Sequence, residues 1–130
     1  MRKILILGGG GMIGQKLAQR ITGATFMPDA EVTLFDRAFP PAGVAAKTMT
    51  GDVSSPAMAK TLVANRPDVI FHLAAIVSGQ AEAEFDLGWE VNMMAMWHLL
   101  NALKDEHDGS GGTYRPRVVF TSSIAVFGGP

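Results

Sequence analysis

The sequence predicts an α/β fold, a doubly wound parallel sheet with helices on both faces. Three observations carry that expectation. Ile4-Leu5-Ile6-Leu7 is an apolar run without polar interruption, which reads as a strand buried on both faces. It passes directly into Gly8-Gly9-Gly10-Gly11, and from Met12 a helical pattern resumes with Ile13, Leu17 and Ile21 on one stripe. Further short apolar runs then alternate with helical stretches along the chain. Strands are expected near residues 3–7, 31–36, 45–50, 68–74 and 117–121, in the order 3-2-1-4-5 with right-handed crossovers.

The first strand, the glycine turn and the helix together form a phosphate-binding device. Glycines let a pyrophosphate approach the backbone, and the helix N-terminus offers free N–H groups and a partial positive charge. Two registers fit: Gly9, Gly11 and Gly14 satisfy G-x-G-x-x-G, while Gly8, Gly11 and Gly14 satisfy G-x-x-G-x-x-G. A glycine cluster alone is more often a mere turn. Here Asp36 lies 22 positions beyond Gly14, at the end of the apolar run Val32-Thr33-Leu34-Phe35. That is close to the ~20-residue spacing of a ribose-binding carboxylate, so dinucleotide binding is favoured over a turn or a mononucleotide loop. No Gly-Lys-Ser/Thr follows the glycines, which argues against a P-loop.

Bulk properties narrow the class. A chain of 130 residues, 48% hydrophobic and 18% charged, is expected to be one globular domain, short for a complete dinucleotide enzyme. Eleven basic against twelve acidic residues leave no electrostatic footprint for nucleic acid. The absence of cysteine excludes disulfides, thiolate zinc sites and cysteine nucleophiles, and no metal site is expected. Met1-Arg2-Lys3 precedes an apolar run that ends at Leu7, too short for the ~7–15-residue core of a signal peptide. No run reaches the ~18 apolar residues of a membrane span, so no membrane partner and a cytoplasmic location are expected.

Beyond Asp36, Arg37 reads either as a cover for an adenine face or as a solvated charge. Phe39-Pro40-Pro41-Ala42-Gly43 is a connection. Ala45 to Thr50 reads as a modest third strand, followed by Gly51-Asp52-Val53. Asp52 can accept from an adenine amino group while Val53 packs on the ring; otherwise Asp52 is a turn aspartate. Ser55-Pro56 opens a helix as N-cap and first helical residue, with Met58, Ala59, Leu62 and Val63 on its buried stripe. Val69-Ile70-Phe71-His72-Leu73-Ala74-Ala75 is nearly all apolar and reads as a central strand in which His72 is a packed residue rather than a catalyst. The loop 76–82 carries Ser78. Glu84 to Lys104 reads as one long helix. Val91, Ala95, Leu99 and Ala102 make one stripe, interrupted by a buried Asn92, and Met93, Met96, Trp97, Leu100 and Lys104 mark a second face. A loop over 108–115 and a fifth strand follow.

Gly8-x-x-Gly11-x-x-Gly14, Gly51-Asp52-Val53, His72-Leu73-Ala74-Ala75, Asn92 and Ser122-Ser123-Ile124-Ala125-Val126-Phe127-Gly128 stand in one order and spacing. Together they resemble the extended short-chain dehydrogenase/reductases, the NAD-dependent epimerase/dehydratase group with a Rossmann-type fold. The resemblance selects the register Gly8, Gly11 and Gly14. It implies that these glycines, with Met12 and Ile13, hold the pyrophosphate of NAD, Asp36 the adenosine ribose, and Asp52 with Val53 the adenine. Leu73, Ala74, Ala75 and Asn92 would line the cofactor. It implies that Ser123 is the catalytic serine that hydrogen-bonds the reacting oxygen, with Ser78 on the substrate side. Leu7 stands where threonine is common and Phe127 where tyrosine is common. Residues 76–88 look most like the members that oxidise D-erythronate, a four-carbon sugar acid, at C2; sugar-nucleotide epimerases and dehydratases usually differ there. The resemblance further implies a homodimer through the 84–104 helix.

One departure matters. The group's Tyr-x-x-x-Lys pair, its acid/base and the lysine that lowers its pKa, does not occur between Met1 and Pro130. Tyr114 has no lysine four residues later. The expectation is therefore the N-terminal part of a longer enzyme, ending before the Tyr/Lys helix and the substrate domain and inactive by itself. The competing class is a non-catalytic dinucleotide-sensing domain, distinguished by reading the coding sequence beyond Pro130 for Tyr-x-x-x-Lys.

Overall fold

In the computed structural model, which describes residues 2–23, 27, 29–74 and 90–121, the chain alternates strands and helices. It runs through β1 (Arg2–Leu7), α1 (Met12–Thr22), β2 (Ala30–Asp36), β3 (Lys47–Thr50), α2 (Pro56–Ala64) and β4 (Val69–His72). A π-helical turn over Glu90–Met94 leads into α3 (Ala95–Gly109), and β5 (Arg117–Phe120) follows. The strands form one parallel sheet in the order β3-β2-β1-β4-β5, as expected. Central β1 pairs on both sides, with Ile6 opposite Leu34 of β2 and Phe71 of β4.

Two apolar layers cover this sheet, which is why Ile4 to Leu7 needs no polar break. Leu5, Leu7, Phe35 and Ile70 face α2 and α3, packing with Leu62, Val63, Leu99 and Ala102. Ile4, Ile6, Val32 and Leu34 face α1, packing with Ala18 and Ile21. Burying a Leu or Ile side chain contributes about 1.5–3 kcal/mol, and the central strand buries four of them, Ile4, Leu5, Ile6 and Leu7. Ser55 caps α2, accepting from the Met58 amide at 3.3 Å.

Several boundaries differ from the sequence expectation. β3 starts at Lys47 rather than Ala45, because its pairing begins opposite Thr33. It is a short, polar edge strand, which blunts further pairing. In α1 the buried stripe is Gly14, Ala18 and Ile21, and Ile13 is exposed, since small residues let the helix lie close to the sheet. The expected loop at 108 is still helix as far as Gly109. Asn92 is exposed and sits in the π-helical turn, not in a buried stripe. Ala95, Leu99 and Ala102 are buried as expected. The side chain of Val91 and residues 84–89 lie outside the described residues.

At the N-terminal end of the sheet the connections are tied together. The buried Tyr114 hydroxyl donates to the Pro67 carbonyl at 2.7 Å, and the Tyr114 carbonyl meets His107 Nδ1 at 2.9 Å. The Lys3 amide donates to Asp68 Oδ2 at 2.8 Å, and Arg66 pairs with Glu106 at 2.7 Å. Burial first, then Asp68 and Glu106, push the Tyr114 pKa up to about 12. Tyr114 is thus a structural tyrosine far from the glycine loop.

Candidate functional site

The C-terminal ends of β1, β2 and β4 meet at the glycine run, where a parallel sheet of this kind places its ligand. Four internal hydrogen bonds shape the loop. The Phe35 carbonyl accepts from Gly8 N at 2.8 Å and Gly9 N at 3.0 Å. Gly10 N donates to Asp36 Oδ2 at 2.9 Å, and Gly11 N to the Gly8 carbonyl at 3.2 Å. The run is thereby sewn to the end of β2. Gly11 then serves as the N-cap of α1 without a side chain to cap it, and Gln15 N bonds back to the Gly11 carbonyl at 2.9 Å. The amides of Met12, Ile13 and Gly14 precede that first helical bond, so the positive end of α1 is offered outward.

The glycines are needed for different reasons. Gly8 has φ +86°, and a Cβ there would lie 2.8 Å from the Ala74 amide nitrogen and 2.9 Å from the Leu73 carbonyl carbon. A Cβ on Gly14 would collide with the Gly8 carbonyl oxygen, with the Gly9 Cα at 2.8 Å. Gly11 differs: the nearest atom to its Cβ position is the Gly8 oxygen at 3.5 Å, ordinary contact. Packing thus explains Gly8 and Gly14, while at Gly11 the described residues would tolerate a Cβ. Gly9 and Gly10, outside the chosen register, are also closed, against Leu34 Cβ at 2.7 Å and the Ala38 carbonyl respectively. Spacing flagged Gly9 only through the other register and gave no signal for Gly10.

Asp36 stands at the end of β2 as expected, with both oxygens already oriented. Oδ2 accepts from Gly10 N, and Oδ1 from Arg37 N at 2.7 Å. Each oxygen has a further lone pair for a sugar hydroxyl. Asp52 does act as a turn aspartate, since Oδ1 accepts from Ser54 N at 2.9 Å and Ser54 Oγ at 2.7 Å. It also pairs with Arg37 Nη2 at 3.2 Å. Its carboxyl is held below the usual range, chiefly by the Ser54 hydroxyl and amide and then by Arg37. Val53 is partly buried against the layer beneath α2 and α3.

Leu73 and Ala74 continue β4 past its ladder, with Leu73 N donating to the Leu7 carbonyl at 2.8 Å, directly behind Gly8. His72 is buried at the strand end, and burial holds its pKa below the ordinary value. That is the packed role expected for it. Asn92 lies in the π-helical turn that precedes α3. Ala75, Ser78 and Ser123 lie outside the described residues. Among the described residues, no three His, Asp or Glu side chains gather as a metal site requires. No helix there is long and apolar enough to cross a membrane.

Sequence reasoning missed Gln15. Its Nε2 donates to the Gly9 carbonyl at 2.6 Å and its Oε1 accepts from Val44 N at 2.8 Å. One side chain thus clamps the glycine loop to the β2–β3 connection, beside a cleft of about 430 Å³ lined by Gln15, Lys16, Gln19 and residues 42–45. A glutamine after the third glycine announces nothing by itself. Its partner is reached only when residue 44 folds back.

Comparison with known proteins adds a second line of argument. The profile of the NAD dependent epimerase/dehydratase family matches residues 4–130. D-erythronate dehydrogenase of Cupriavidus necator is 38% identical over 97% of this chain and 40% of its own length. The enzyme of the same name from Haemophilus influenzae is 32% identical over 98% of the chain and 39% of its own length. A solved structure described as the nucleoside-diphosphate-sugar epimerase from Agrobacterium tumefaciens superposes with TM-score 0.84 at 46% identity, over 99% of this chain and 39% of that one. The chain therefore spans about two fifths of the length of the relatives it matches.

Proposed function

Because the chain belongs to the NAD-dependent epimerase/dehydratase family, we propose that it forms the dinucleotide-binding part of a longer oxidoreductase acting on a sugar acid such as D-erythronate, at C2. The observation that carries the dinucleotide reading is the unequal packing of the glycines. Among the described residues, Gly11 is the one position of the motif where a Cβ would meet nothing closer than ordinary contact, and it lies at the start of α1 without a side-chain cap. The amides of Met12, Ile13 and Gly14 hold the pyrophosphate, Asp36 both ribose hydroxyls, and Asp52 with Val53 the adenine. Leu73, Ala74, Ala75 and Asn92 flank the rest of the cofactor. NAD, when bound, supplies the hydride acceptor. The chain's own residues orient it and, through Ser123 and Ser78, the substrate hydroxyl. The kinship with two D-erythronate dehydrogenases supports the sugar-acid reading, and the 46% identity with a sugar-nucleotide epimerase supports epimerisation as the alternative.

The test is calorimetric titration of the chain with NAD, alongside Gly11→Ala. Alanine fits the local backbone (φ −79°, ψ 173°), so fold stability is expected to change by no more than about 1 kcal/mol. NAD affinity is expected to fall at least tenfold, because the added methyl occupies the phosphate approach. Unchanged affinity would overturn the assignment of Gly11. Hydride transfer also needs a general base, which serine at its ordinary pKa does not provide, and the chain contains no Tyr-x-x-x-Lys. With NAD and D-erythronate, the absorbance of NADH is accordingly expected to stay flat. Turnover abolished by Ser123→Ala would refute this.

A further inference from the structure

Arg37 is the side chain that a 2′-phosphate on the adenosine ribose would recruit, since an arginine near the end of β2 accommodates NADP where a carboxylate selects NAD. In this structure that guanidinium is already engaged: Nη2 lies 3.2 Å from Asp52 Oδ1, bridging the segments that follow β2 and β3. Asp52 is itself held, because the same oxygen accepts from the Ser54 amide and hydroxyl at 2.9 and 2.7 Å. Asp36, one residue before Arg37, keeps its carboxylate fixed by Gly10 N and Arg37 N. The adenosine end therefore presents two carboxylates and one guanidinium, with the guanidinium turned to the carboxylate of Asp52.

We propose that Asp52 is a positioning residue for cofactor choice, acting as a latch that withholds Arg37 from a 2′-phosphate and so reinforces the preference for NAD set by Asp36. The inference rests on the dinucleotide reading above. The pair is half exposed on both sides (56% and 50%), so the latch is weak and its effect graded. Ser54 strengthens it by removing the freedom of the Asp52 carboxylate, through the side chain and the backbone together. No electron or group transfer is involved; the latch acts on binding alone.

The experiment is calorimetric titration with NAD and with NADP of the unaltered chain, Asp52→Asn, Arg37→Gln and the double variant, each checked for folding by thermal melting. Asparagine keeps the Ser54 contacts and removes only the charge. Asp52→Asn is expected to tighten NADP by up to about fivefold, while Arg37→Gln removes most of that gain. Ser54→Ala, which loosens the carboxylate without deleting it, is expected to give a smaller gain in the same direction and supplies the measurement should Asp52→Asn fold poorly. An equal NADP gain with and without Arg37 would mean plain charge removal and would overturn the latch. No gain in either Asp52→Asn or Ser54→Ala would overturn it as well. Failure of the unaltered chain to bind NAD would instead overturn the dinucleotide reading, and the latch with it.

Discussion

At the scale of single residues, Gly11 and Gly14 belong to one motif and yet answer to different neighbours. Gly14 is pressed against the Gly8 carbonyl and the Gly9 backbone, so Gly14→Ala is expected to destabilise the fold by about 1–3 kcal/mol through overpacking, where Gly11→Ala does not. The spacing of glycines in the sequence reveals the motif but not this division of labour, which depends on which backbone lies opposite each Cα. His72 gives a pH dependence of definite sign. Burial lowers its folded pKa below 6.5, so below that pH the unfolded chain takes up the proton more readily. Its contribution is full above pH 6.5 and declines as pH falls from there toward the folded pKa. Melting temperatures across pH 5 to 7.5 are expected to drop on the acid side, and His72→Phe to flatten that slope (the pH range spans the ordinary histidine pKa). An unaltered slope in the variant would assign the effect to another group.

At the scale of elements, hydrophobic periodicity located each described strand and α-helix, because burial on the sheet imposes a face on each. It could not locate the π-helical turn at Glu90–Met94. An apolar stripe reports which side of a helix is buried, and one wider turn shifts the following residues without erasing that stripe. The outer face of α3 is the element's unsolved side. Trp97 and Leu100 of α3 are exposed at 60% and 51%, and Met93 of the preceding π-helical turn at 55%, although the opposite face of α3 packs on α2. We expect this face to self-associate, as the family resemblance implies for the helix. Sedimentation at rising concentration should reveal a dimer, and Trp97→Glu should shift it toward monomer. A monomer at every concentration would remove this reading.

At the scale of the whole molecule, the two ends of the sheet do separate work. One carries the glycine loop, and the other is closed by the Tyr114–Pro67, Lys3–Asp68 and Arg66–Glu106 contacts. Tyr114→Phe strands a buried Pro67 carbonyl and is expected to destabilise the chain by about 1–3 kcal/mol, leaving NAD affinity unchanged. A matching loss of NAD affinity on calorimetry would show that the ends are coupled. The order of the motifs along the chain made the sheet and its ligand end legible. The closing contacts were not, since Tyr114 and Pro67 stand 47 positions apart and neither belongs to a motif. The sewing of the glycine run to Phe35 and Asp36 bears, finally, on time rather than on energy. A loop held by these bonds before a dinucleotide arrives is expected to need no separate closing step, so capture should proceed as a single exponential whose rate climbs in proportion to concentration without reaching a ceiling.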